Sequence, residues 1–167
     1  TDGSAPAVSL SGALVGGGSV IDYRFTPNGA RVVYRADQLV DEAVELYSAD
    51  GTGPAVRLNP ALPATADITD FRISVDGSQV VFPAQAPFYQ LMSAPVDGSA
   101  PAIGIAFPSS QYVRFEVHPL VAAVVYQTVD GIFRTPDDAV APAMLTAFEP
   151  ASGRRDLVDL RLTGDGA

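Results

Sequence analysis

Two stretches of the chain, RFTPNGARVVY from Arg24 to Tyr34 and RISVDGSQVVF from Arg72 to Phe82, follow one pattern 48 residues apart. A third version, VRFEVHPLVAAVVY, runs from Val113 to Tyr126, and a shortened one, LRLTGDGA, from Leu160 to Ala167. The arginines fall at 24, 72, 114 and 161, so the intervals are 48, 42 and 47 residues. Intervals of this size mark stacked supersecondary units, each of which leaves an apolar face for its neighbour to cover. A second landmark keeps the same period. Leu46-Tyr47, Leu91-Met92 and Ile132-Phe133 are each followed by a turn and then by a proline-containing segment, GPAVRL from Gly53, APAIGI from Ala100 and APAMLT from Ala141. APAVSL from Ala5 is the same segment without a preceding copy, so the chain reads as starting late in one unit and stopping early in another.

Within each unit, β-branched and aromatic residues cluster in short runs bounded by Gly, Pro, Asn and Asp, which is the pattern of strands and turns. Helical periodicity is nowhere sustained. Asn28-Gly29, Asp76-Gly77 and Asp165-Gly166 suit tight hairpins, because both residue types tolerate the positive φ such turns need. Val32-Val33-Tyr34 and Val80-Val81-Phe82 are apolar without alternation, as expected of strands covered on both faces. The spacing predicts strands over 20–26, 31–36, 44–49 and 55–58, then 68–74, 79–84, 89–95 and 101–106, then 112–117, 121–128, 131–135 and 142–146. An orphan outer strand is expected near 7–10 and an orphan inner strand near 157–163. The fold class is therefore all-β: a partial β-propeller of about three four-stranded antiparallel blades with a half-blade at each end, forming a single segment over residues 1–167.

The pattern resembles the TolB-type, WD-repeat-like propeller repeats of bacterial proteins. FTPNGARVVY with LYSADG, and ISVDGSQVVF with LMSAPVDG, are similar to that family's aromatic, Ser-Pro-Asp-Gly, apolar strand and Leu-Tyr pair. Thr26-Pro27-Asn28-Gly29 keeps the Pro and Gly of the turn, Ser74-Val75-Asp76-Gly77 lacks the Pro, and the third copy places Glu116-Val117-His118-Pro119 there. The resemblance implies a scaffold of periplasmic, secreted or cell-surface proteins and no single activity. Propellers close with about four to eight blades, so further blades are expected from a longer chain or from another copy, and the segment reads as part of a larger protein or assembly.

Composition narrows the partners. With 19 acidic residues, 10 arginines, no lysine and a net charge of -9, the chain would repel phosphate backbones and anionic lipid. No apolar run approaches the roughly 18 residues a membrane-spanning helix needs. The absence of cysteine removes disulfides and thiolate metal sites. The expected partner is protein, or the remaining blades, with neither nucleic acid nor membrane insertion.

The sharpest polar feature is the recurring Asp22-x-Arg24, Asp70-x-Arg72 and Asp159-x-Arg161, with Arg114 preceded by Tyr112 in the third unit. Residues two apart on a strand share a face, so these groups form either an inter-blade Asp–Arg ladder or a ring lining a central channel. The ring would hold an anionic or sugar-like ligand, since the arginine fork matches carboxylates. Catalytic parts are sparse. His118 precedes a proline at a turn, no serine occupies a G-x-S-x-G elbow, and repeat-equivalent carboxylates lack the differing environments an acid/base pair needs. Asp37, Asp41-Glu42 and Asp137-Asp138 match no calcium loop, so no metal or cofactor is expected. Gly16-Gly17-Gly18 reads as a flexible connection. The functional expectation is a non-catalytic scaffold whose loops, such as 37–43 and 85–88, carry recognition. Two alternatives are the propeller of a larger serine-peptidase-like hydrolase, filtering access to its catalytic domain, and a ligand-binding channel. A propeller glycosidase using Asp22, Asp70 and Asp159 is a more remote one.

Overall fold

The computed structural model describes residues 7–63, 65–85, 89–106, 114–128 and 131–138, together with the backbone of 143–147. Its strands are β1 (Val20–Phe25), β2 (Val32–Ala36), β3 (Glu45–Ala49), β4 (Val56–Arg57), β5 (Arg72–Ile73), β6 (Gln79–Gln85), β7 (Tyr89–Pro95), β8 (Ile103–Ala106), β9 (Arg114–Val117), β10 (Ala123–Thr128), β11 (Gly131–Pro136) and β12 (Ala143–Ala147). They form three four-stranded antiparallel sheets, β1-β2-β3-β4, β5-β6-β7-β8 and β9-β10-β11-β12, each a meander of consecutive strands. The three predicted sets of strands are all present, with ends displaced by a few residues.

The first two inner hairpins are closed by the same turn chemistry. The Thr26 hydroxyl donates to Asn28 Oδ1 at 2.7 Å, and the Ser74 hydroxyl donates to Asp76 Oδ1 at 2.6 Å. Each hydroxyl oxygen also accepts a backbone N–H five residues on, from Arg31 and Gln79. Gly29 and Gly77 take φ of 69° and 75°, a conformation costly for any residue with a Cβ. His118 stands at the corresponding place in the third sheet. Its N–H bonds to Ala123 O five residues on, as those of Thr26 and Ser74 bond to Arg31 O and Gln79 O, and its Nδ1 accepts the N–H of Leu120. The lone histidine is thus a turn-capping residue.

The doublets of valine are explained by the stacking of the sheets. Val33 and Leu46 of the first sheet, with Leu58 just beyond β4, meet Phe71, Val80, Phe82, Ala84, Met92 and Ala94 of the second. On the other side of the second sheet, Val81, Leu91, Ile105 and Ala106 meet Phe115, Val124 and Tyr126 of the third. Val80 and Val81 therefore point into two different cores, so a strand with period-2 side chains still needs an unbroken apolar run. The third cluster, Val32, Tyr34, Ala36, Tyr47 and Ala49, lies on the first sheet's other face, where Tyr34 and Tyr47 stack at 5.4 Å.

Two expectations are corrected. Residues 7–10 are not a strand, since none of the described strands offers them a ladder. The strand expected over 68–74 shrinks to Arg72–Ile73 because the preceding backbone is engaged elsewhere: Ile68 N–H donates to Val44 O, and Arg35 binds the carbonyls of Ile68 and Thr69. The strand expected over 157–163 lies outside the described residues.

Candidate functional site

The register of the first hairpin sets Asp22 opposite Arg35, Tyr23 opposite Tyr34 and Arg24 opposite Val33. From Asp22 to Phe25, odd and even positions of β1 consequently face opposite sides, while the register shifts between Val20 and Asp22. Arg24 turns toward the second sheet, where its guanidinium lies 4.9 Å from the Phe71 ring centroid and 3.5 Å from Asp70 Oδ1. Arg72 repeats the arrangement one sheet on, with its guanidinium 5.6 Å from the Phe115 centroid and Nε donating to Glu116 at 3.3 Å. Nη1 of Arg72 also donates to Asp70 Oδ1 at 2.5 Å. Each arginine thus lies over an aromatic ring of the next sheet and pairs with one of its carboxylates, combining cation–π attraction with an ion pair that for Arg72 is also a hydrogen bond.

Of the residues singled out in the sequence, Arg24, Asp70 and Arg72 meet in one cluster at the first two inner strands. Asp22 is held instead by Arg35 of its own sheet, through paired bonds of 2.7 and 2.8 Å. Arg114 opens β9 opposite Gln127 and is exposed. Asp159 and Arg161 lie outside the described residues. Arg24 pairs with the acid of the following sheet, and Arg72 with the acids of its own sheet and the next. Arg35 and Glu116 lie outside the recurring Asp-x-Arg pattern. Counting back from the Asn28-Gly29 turn places Arg35 across from Asp22, so the turn was the signal for the first. Glu116 supplies the carboxylate that Tyr112 cannot.

Electrostatics elsewhere serve loops. Asp37 accepts the Ser19 N–H, which holds its carboxyl below the usual range. Asp76 is lowered by the Ser74 hydroxyl and by Ser78, while Asp50 is lowered chiefly by Thr52. Asp137 is buried and raised, first by desolvation and then by Asp138. A lowered carboxyl adds stability that is complete above the unfolded value of 3.8 and is lost as pH falls through the lower folded value. The denaturation midpoint is therefore expected to fall between pH 5 and pH 3, and Asp37→Asn to flatten that fall. Asp137 has the opposite sign, so Asp137→Asn is expected to raise the urea midpoint at pH 7 and to lose this advantage below about pH 4. Urea titrations across this range check both.

Among the described residues no group of three or more His, Cys, Asp or Glu side chains is arranged to hold a metal ion, and no helix is long and apolar enough to cross a membrane.

No family model matches the chain, and no curated protein matches it in sequence. Its fold is similar to that of a solved structure described as "putative TolB from Agrobacterium tumefaciens", with a TM-score of 0.54 and 19% identity over 74% of this chain. The match spans 48% of that structure's chain. At this identity the likeness establishes a TolB-like all-β fold.

Proposed function

We infer that the three sheets are consecutive blades of a β-propeller, and that the propeller is a non-catalytic scaffold for protein recognition outside the cytoplasm. The observation that carries the reading is the repeated stitch of arginine onto the next sheet's aromatic ring and carboxylate. It joins sheets side by side in chain order, which is how blades stack around an axis. The TolB-like fold supports the same reading, and a propeller protein in the bacterial periplasm or at the cell surface fits an acidic, cysteine-free chain. Further blades, from the same protein or from another copy, complete the ring.

Recognition falls to the loops. The β2–β3 loop is anchored by Asp37 and Gln38, whose side chains tie it to Ser19, Gly12 and Tyr34. Its tip presents exposed Leu39 and Val40. A rigid base with an apolar tip suits protein docking. Leu39→Asp with Val40→Asp is expected to abolish capture of a specific protein from a periplasmic extract while the circular dichroism spectrum and urea midpoint stay unchanged. Undiminished capture by the double variant would remove this loop from the account, and turnover of a peptide or glycoside substrate by the purified chain would contradict a non-catalytic role.

A further inference from the structure

The stitch has two halves, and among the described residues the first sheet shows the receiving half without a donor. Tyr23 occupies the repeat position of Phe71, yet Tyr23 is 63% exposed and Phe71 fully buried. Phe25 is 60% exposed and meets Tyr23 edge-on at 6.0 Å, and Val20, opposite Ala36 on the same face, is exposed too. Asp22 stands where Asp70 stands in the second sheet, with a carboxylate partly open to solvent. Asp70 pairs with an arginine of its own sheet and with one of the preceding sheet at once, so the bonds from Arg35 leave Asp22 room for a second arginine.

Residues 7–10 show how the missing sheet would lie. At Gly98 in the second sheet, an added Cβ would meet Val56 and Leu58 from the outer-strand segment of the first sheet, at 2.5 and 3.7 Å. At Gly51, the equivalent turn of the first sheet, an added Cβ would meet Leu10 at 3.1 Å. Leu10 therefore sits against the first sheet as Leu58 sits against the second. The sequence agrees, since DGSAPA at 2–7 is repeated identically at 97–102, and Ala13-Leu14 matches Ala61-Leu62. Leu62 packs on the core between the first and second sheets, while Leu14 remains partly exposed with Val8 and Leu10. Residues 7–10 thus take the place of a fourth strand whose first three partners are not among the described strands.

We propose that the exposed face of β1 and the edge of residues 7–10, which no described strand pairs, form one seat for three further strands of the same repeat, joined to residues 7–10 through the Asp-Gly-Ser-Ala-Pro-Ala sequence that recurs at 97–102. The innermost of these strands carries an arginine that lies over the Tyr23 ring and reaches Asp22. A second copy of this chain fits the seat less well, because the third sheet already has its own fourth strand, β12, which would claim the place of residues 7–10. The proposal rests on the reading of the sheets as blades, which the Arg72–Glu116 coupling described in the Discussion tests separately.

The absence of tryptophan makes Tyr23→Trp a single indole reporter on the seat. It is placed in the 167-residue chain and in an extended chain that carries a second copy of residues 68–96 joined directly to Asp2, recreating the natural Val96–Asp97 junction. The 167-residue chain is expected to be monomeric by light scattering with water-exposed indole emission. The extended chain is expected to be monomeric with emission shifted to shorter wavelength and a higher urea midpoint. Replacing the arginine of the added copy by alanine should reverse part of that shift. Unshifted emission or a protease-sensitive extension would overturn the proposal. So would a 167-residue dimer with shielded indole, which would give the seat to a second copy, or a monomer with shielded indole, which would give it to another segment of the same 167 residues.

Discussion

Phe71→Ala is expected to destabilise the chain by about 3–5 kcal/mol, the range for truncating a fully buried phenylalanine whose surroundings close only partly. Phe71 has no exposed surface, packs among Val33, Ile68 and Phe82, and lies beneath the Arg24 guanidinium. The substitution removes a core side chain and the ring that receives the stitch between the first two sheets. Domains of this size hold on the order of 5–15 kcal/mol in total, so the loss is a large part of the whole. Tyr23→Ala, at the repeat-equivalent position, should change stability by no more than about 0.5 kcal/mol because Tyr23 faces solvent. Urea denaturation followed by far-ultraviolet circular dichroism reads both. Equal losses at the two positions would mean that the face of β1 is covered in solution.

Arg35→Ala is expected to cost about 2 kcal/mol, more than any other arginine substitution in the first sheet. Arg35 is largely buried, binds both Asp22 oxygens, and donates to the carbonyls of Ile68 and Thr69 at the entry to the second sheet. Removing it takes the shared donor from the Asp22 carboxylate and from the carbonyls of Ile68 and Thr69. Arg35→Lys should recover only part of the loss, because one ammonium cannot reproduce the paired bonds of the guanidinium fork. Arg57 makes a comparably short bond to Glu45, at 2.9 Å, but its side chain is 40% exposed, so Arg57→Ala should cost less than about 1 kcal/mol. Thermal or urea midpoints of the three variants order these effects, and an Arg57 loss exceeding that of Arg35 would contradict the assignment.

Much of the fold was legible because the turn chemistry and the strand pattern agree. Thr26 to Gly29 and Ser74 to Gly77 announce hairpins, and the valine doublets require two covered faces. The short β5 was hidden for a tertiary reason: Ile68 and Thr69 look like strand residues, but their backbone groups go to Val44 and Arg35 of another sheet. The recurring Asp-x-Arg pair was visible, whereas its partner choice was not. Asp22 pairs across its hairpin with Arg35, so Arg24 is directed to Asp70. Glu116 escaped notice because the third unit carries its acid after the arginine, where the first two carry theirs before it. Residues 7–10 were read in the right place and given a ladder that the described strands do not supply.

The most direct measurement of the stacked-sheet account is a double-mutant cycle between Arg72 and Glu116, using Arg72→Ala, Glu116→Ala and the pair, by urea denaturation at low ionic strength. These residues lie 44 positions apart, on the inner strands of different sheets, and join through the 3.3 Å bond between Arg72 Nε and Glu116 Oε2. A favourable coupling of about 0.5–1 kcal/mol that weakens with added salt is expected. Strictly additive single-variant losses would mean that the second and third sheets are not stitched in solution, and would contradict the account.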